Sequence, residues 1–110
     1  MKPGEVVLVK FPGAVVTKVR PALVISSMQY HQTRHDVIIG ILTSKTDKAN
    51  TPSDYVLENW QQAGLDMPTA FRAYIITVQQ SDLRKIGQLT QKDWNGVITS
   101  VKNAIHLTVI

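Results

Sequence analysis

The sequence predicts a mainly β domain with α, a small barrel or sandwich of about six strands with a short helix and a C-terminal helix. Three observations carry this. Segments before residue 90 alternate apolar and polar residues or carry β-branched runs, turn formers separate them at short intervals, and a single stripe of helical period follows Thr90. A chain of 110 residues supports one hydrophobic core, so residues 1–110 are expected to form one domain.

Each element has its own justification. "EVVLVKF" (5–11) reads as the first strand, opened by Pro3-Gly4 and stopped by Pro12-Gly13. "PALVIS" (21–26) is the second. Pro21 has no N–H for a ladder and confines Arg20 to extended conformations, so a guanidinium is held at a strand entrance. "DVIIGIL" (36–42) is the third, with Gly40 marking a bulge or the close approach of another backbone. "DYVLE" (54–58), "TAFRAYIITV" (69–78) and "KIGQL" (85–89) supply the fourth, fifth and sixth. "NWQQAGL" (59–65) is expected as one or two helical turns ended by a left-handed Gly64. The longer helix starts at Thr90, with Asp93 three residues on as an imperfect capping box. It places Trp94, Val97, Ile98, Val101 and Ile105 on one face, which must lie on the sheet. Trp60 and Trp94 then serve as helix anchors.

Composition excludes several chemistries. With no cysteine there is no disulfide, thiolate metal site, redox pair or cysteine nucleophile. No Walker loop, GxSxG elbow, HExxH, EF-hand loop or dinucleotide turn occurs. The N-terminus lacks a signal-peptide stretch and no apolar run reaches bilayer length, so a cytoplasmic protein without membrane contact is expected. Twelve Lys and Arg against eight Asp and Glu give a net charge of +4, which favours a polyanionic partner. His31 and His35 have a metal-like i, i+4 spacing, but they lie in a polar segment between strands without a third ligand. A solvated loop and no metal are expected there. His106 reads as a helix-end or surface residue.

The strand ends are more informative. If the second and third strands are antiparallel neighbours, Arg20 at the start of one lies near Thr43 at the end of the other. With Lys18, Ser44 and Lys45 they form either a donor cluster suited to a phosphate or a pair of ordinary polar turns. The residues alone leave both open.

At these residues the chain resembles the MazF/PemK family of type II toxins. The resemblance runs through "GEVVLVKFP" (4–12), "RPALVISS" (20–27), "DVIIGILTSK" (36–45), "DYVLENWQQAGL" (54–65) and "IGQLTQKDWNGV" (86–97). It implies an SH3-like barrel, a homodimer, and a cofactor-free, metal-independent endoribonuclease (an mRNA interferase) that cuts single-stranded RNA at short sequences. A cognate antitoxin would neutralise it by laying an extended segment over the dimer. The family's catalytic arginine falls on Arg20 and its catalytic threonine on Thr43. Lys18, Ser44, Lys45 and Arg72 are then expected along the RNA backbone, with Tyr30 and Phe11 as base-stacking candidates. The apolar tip Ala14-Val15-Val16 falls where the family's usually polar loop gates RNA. Two further functions fit the same barrel: a non-catalytic toxin that binds a protein target such as gyrase, and an SH3-like nucleic-acid-binding module that does not cut.

Overall fold

Val- and Ile-rich runs between turn residues become six strands in the computed structural model, which describes residues 1–11 and 18–110. They are β1 (Glu5–Phe11), β2 (Lys18–Val24), β3 (Asp36–Thr43), β4 (Tyr55–Val56), β5 (Ala70–Gln79) and β6 (Leu83–Gln88). All pairings are antiparallel, in the order β4-β5-β3-β2-β1-β6. The sheet curls into a half-barrel whose outer strands, β4 and β6, are not paired with each other. Helix α1 (Met28–Thr33) follows β2, and α2 (Gln91–Ala104) closes the fold. The tip Ala14-Val15-Val16 lies outside the described residues.

Alternation along the strands loads both faces of the sheet with apolar side chains. One face sets Val6, Leu23, Leu42 and Phe71 against Leu57, Leu89 and Val97, with Trp60 and Trp94 half-buried at its margin. The other gathers Val7, Val9, Ala22, Val24, Val37 and Ile39. Burying such side chains contributes roughly 1.5–3 kcal/mol each, so the curl is held from both sides. Of the predicted α2 stripe, Trp94, Val97 and Val101 pack into the core on the first face, Ile98 is half-buried outside it, and Ile105 falls at the helix end and is exposed. No helix among the described residues is long and apolar enough to cross a membrane.

Four local expectations change. β2 begins at Lys18, three residues before Pro21, because Arg20 and its neighbours pair with β1 (Val9↔Arg20, Phe11↔Lys18). The fourth strand shrinks to two residues because the backbone N–H groups of Glu58 and Asn59 turn to the Asp93 carboxylate, at 3.0 and 2.9 Å. That also explains why 59–65 is a tight turn and not a helix. Gly64 does take the expected left-handed conformation (φ +85°), and no Cβ fits there, since it would lie 2.4 Å from the Ile86 carbonyl oxygen. The short helix lies instead at 28–33, where a polar loop was expected. It is six residues long and buries none of them, so it has no apolar stripe to betray it, only the cap in which Ser27 accepts from the Tyr30 N–H at 3.1 Å.

Asp93 holds α2 to the rest of the domain. The Thr90 hydroxyl accepts from the Asp93 N–H, giving half of the expected capping box. The Asp93 side chain, fully buried in the first turn of α2, accepts from the Tyr55 hydroxyl at 2.7 Å as well as from the two N–H groups of the 58–59 turn. The positive end of the helix favours a carboxylate at this place. Burial and then the bond to Asp93 push the Tyr55 hydroxyl well above its ordinary value.

Candidate functional site

The β2–β3 ladder runs from Val24↔Ile39 to Ala22↔Ile41 and stops there, where Pro21 has no N–H to continue it. Continuing that register by two residues sets Arg20 across from Thr43. Both line a cleft of about 640 Å³, floored by Leu8, Pro21, Leu42 and Ile86 and walled by the 64–67 turn. The turn is pressed onto β6 so closely that a Cβ on Gly87 would lie 1.9 Å from the Ala63 carbonyl oxygen.

Charge in the cleft is one-sided. Arg20, Lys45, Lys48 and Arg72 line it against one carboxylate, Asp66. Thr43 is half-buried, and its hydroxyl oxygen accepts from the Lys45 N–H at 3.1 Å, which anchors the side chain and leaves the hydroxyl hydrogen free to donate. Arg72 is tied at its root. Its Nε lies 3.5 Å from Asp54 Oδ1, while its guanidinium carbon sits 5.4 Å from the centre of the Tyr74 ring. Burial pushes the Asp54 carboxyl up, but hydrogen bonds from the Thr51 N–H and hydroxyl, aided by Arg72, outweigh it and hold the group below its ordinary range. Asp54 therefore stays ionised as a counter-charge for Arg72.

Of the six residues expected to act on RNA, the cleft collects Arg20, Thr43, Ser44, Lys45 and Arg72. Lys18 does not line it and stands exposed at the start of β2, two residues beyond Arg20. The two stacking candidates lie elsewhere. Tyr30 donates its hydroxyl to Asp36 at 2.8 Å, and Phe11 borders a different concavity. The aromatic at the cleft is Tyr74, which sequence reasoning passed over together with Lys48. Tyr74 sits two residues after Arg72 on the same strand, and that spacing was its available signal.

Gly40 marks the bulge that exposes Tyr74. The partner of Gly40 is Ile75 and the partner of Leu42 is Phe71, so Arg72, Ala73 and Tyr74 stand against Ile41 alone. The close neighbour of Gly40 is an aromatic ring and not a backbone: a Cβ there would meet Phe71 Cε1 at 2.3 Å. Ala73 absorbs the distortion with a φ of +60°.

A more voluminous concavity, about 860 Å³, lies beside Phe11, Arg34, His35 and Asp36. It is the poorer anion site because its two cations, Lys10 and Arg34, are balanced by two carboxylates, Asp36 and Asp82. Arg34 donates to Asp36 at 2.9 Å, and this bond, with that from Tyr30, holds the Asp36 carboxyl below its ordinary range. His31 is engaged by Ser26 Oγ through Nε2 and by the Met1 carbonyl through Nδ1, at 2.8 Å for the latter. His35 is exposed, and His106 lies past the end of α2, hydrogen-bonded to Thr108. Among the described residues no three His, Asp or Glu side chains gather as metal ligands would.

Solved structures that share the fold include toxins and endoribonucleases. An endoribonuclease in complex with its cognate antitoxin, from a mycobacterial species, superposes with a TM-score of 0.75 at 18% identity, covering 100% of this chain and 99% of that chain. The Mycobacterium tuberculosis toxin MazF-mt6 gives 0.77 at 18% identity, covering 96% and 99%. A MazE-MazF structure from Deinococcus radiodurans gives 0.79 at 14% identity, covering 98% of each. At such identities the likeness is one of fold. No curated protein matches the chain. A family model for the PemK-like, MazF-like toxin of type II toxin-antitoxin systems, however, matches residues 2–105. The chain therefore belongs to the PemK-like, MazF-like toxins of type II toxin-antitoxin systems.

Proposed function

We propose that the chain is a cytoplasmic mRNA interferase, a homodimeric endoribonuclease that cuts single-stranded RNA without a metal ion and is held inactive by a cognate antitoxin. One observation carries the proposal: Arg20, just past the point where the β2–β3 ladder stops, and Thr43, at the end of β3, line one cleft whose charge is almost wholly positive. That is the donor set a phosphodiester needs.

In the reaction the 2′-oxygen bonds to phosphorus and the bond from phosphorus to the downstream 5′-oxygen breaks, leaving a 2′,3′-cyclic phosphate on the upstream product. The 2′-hydroxyl proton passes to solvent, and the departing oxygen takes up a proton. Negative charge grows on the non-bridging oxygens, where preorganised donors act most strongly. Arg20 is the charge clamp, since a guanidinium stays protonated at neutral pH and presents paired N–H donors. Thr43 donates its free hydroxyl hydrogen to the same phosphate and holds the nucleotide in line. Ser44, Lys45, Lys48 and Arg72 hold flanking phosphates within the cleft, and Lys18 stands outside it. Only RNA supplies the 2′-hydroxyl nucleophile.

The test is incubation of purified protein with a long unstructured RNA in EDTA, followed by analysis of the product ends. Cleavage with cyclic phosphate ends is expected, and Arg20→Ala should slow it about 100- to 1,000-fold with unchanged circular dichroism. RNA left intact by the wild type would refute the enzyme. Growth inhibition that survives Arg20→Ala would point to a protein target instead.

A further inference from the structure

We propose that Tyr74 is a nucleobase platform, on which a base beside the bound phosphate stacks with its ring backed by the Arg72 guanidinium. This rests on the assignment of the cleft to single-stranded RNA. Three observations support it. Tyr74 lines the basic cleft yet is 54% exposed, unusual for an aromatic in the middle of a paired strand. The Arg72 guanidinium lies 5.4 Å from the ring centre, so one face of the ring is occupied by a cation and the other is the one a base can meet. Arg72 is in turn held near Asp54 by an ion pair, Nε to Oδ1 at 3.5 Å.

The backbone supplies the third observation. A regular strand would give Ile41 one partner; here Arg72, Ala73 and Tyr74 face it, with Ala73 held at φ +60°. A non-glycine residue in that region is disfavoured, and bulges of this kind re-aim side chains beside functional sites. The bulge presents Arg72 and Tyr74 at the cleft, where an ungapped strand would have continued the ladder. Stacking on an aromatic ring is tolerant of base identity, so Tyr74 is expected to position a nucleotide more than to choose it.

The experiment is a cycle between protein and substrate, beginning from a short RNA whose scissile phosphate has been mapped. Tyr74→Phe should cleave within twofold of the wild type. Tyr74→Ala and Tyr74→Leu should raise KM about 5- to 150-fold, the range set by losing one base–aromatic stack, with kcat largely kept. An abasic scan of the nucleotides flanking the cut should find one position that costs the wild type as much as Tyr74→Ala does and costs Tyr74→Ala nothing further. Cleavage unchanged in Tyr74→Ala, or no abasic position whose effect disappears in that variant, overturns the platform. So does sedimentation showing that Tyr74→Ala and Tyr74→Leu split a dimer that the wild type forms, because the ring would then be a subunit contact. If the wild type does not cut RNA, the same cycle is run by fluorescence anisotropy on 2′-O-methyl RNA. Coupled losses there keep the platform while cleavage falls, and no binding by the wild type overturns both.

Discussion

Replacing Asp93 with asparagine keeps the shape of the side chain and removes its charge, which makes it a sensitive probe of what joins α2 to the sheet. The carboxylate accepts three hydrogen bonds, from the Tyr55 hydroxyl (2.7 Å), the Glu58 N–H (3.0 Å) and the Asn59 N–H (2.9 Å). An amide offers one acceptor oxygen. If Oδ1 keeps Tyr55 and Glu58, both bonds lose charge assistance, worth about 1 kcal/mol each. Nδ2 then faces the Asn59 N–H, donor against donor, leaving a buried group unpaired at a cost of about 1–3 kcal/mol. The whole change should destabilise the domain by about 3–5 kcal/mol, a large part of the stability of an ordinary domain. Urea unfolding followed by tryptophan fluorescence reads it well, because Trp60 and Trp94 both pack on the core next to this junction. Tyr55→Phe in the same assay should cost less than Asp93→Asn, since it removes one bond of the three. A loss below about 1 kcal/mol for Asp93→Asn would show that these bonds are not the tie between α2 and the 55–59 segment.

Three further outcomes follow from the same geometry. Gly64→Ala should cost more than 1 kcal/mol in the urea assay, since it combines a left-handed backbone with a Cβ 2.4 Å from the Ile86 carbonyl oxygen; a neutral result would mean that the turn can leave β6. The Tyr55 hydroxyl is held protonated in the folded state, so its contribution is complete below the unfolded value of about 10 and is lost as pH rises above it. Stability should therefore fall above about pH 10, and Tyr55→Phe should flatten that fall; parallel pH profiles for the two proteins would contradict the shift. Finally, RNA binding through Arg20, Lys45, Lys48 and Arg72 should weaken with salt at a log–log slope of about −3, measured by anisotropy on 2′-O-methyl RNA, and a slope near zero would remove the basic cleft from binding.

Much of the fold is legible in the sequence because strand periodicity and turn chemistry point the same way. β1 follows its Val-rich run to the residue, and Thr90 caps α2 as its hydroxyl permits. What escaped notice depends on contacts distant in sequence. The 58–59 turn ends a strand and prevents a helix only because Asp93, more than thirty residues on, takes its N–H groups. α1 has no buried residue and so no periodic signal. At the site, Thr43 was legible as the end of an apolar run, and Arg20 through Pro21, which marks where the β2–β3 ladder stops and not, as expected, where β2 begins. Tyr74 was missed although its spacing from Arg72 was legible, because the sequence flags the bulge at Gly40 in β3 and not the residues of β5 that it exposes. Lys18 belongs to the same charge run as Arg20, and nothing local to it says that it stands outside the cleft.

The central claim, that Arg20 and Thr43 act together on one phosphate, is tested most directly by single-turnover cleavage of a mapped RNA. The wild type, Arg20→Ala, Thr43→Val and the double variant are compared. Arg20→Ala should lose about 100- to 1,000-fold and Thr43→Val about 10-fold or more. The double variant should lose less than the product of the two, as expected of groups that act as a unit. Single variants that cleave within twofold of the wild type, or two losses that multiply as independent effects, would contradict the claim.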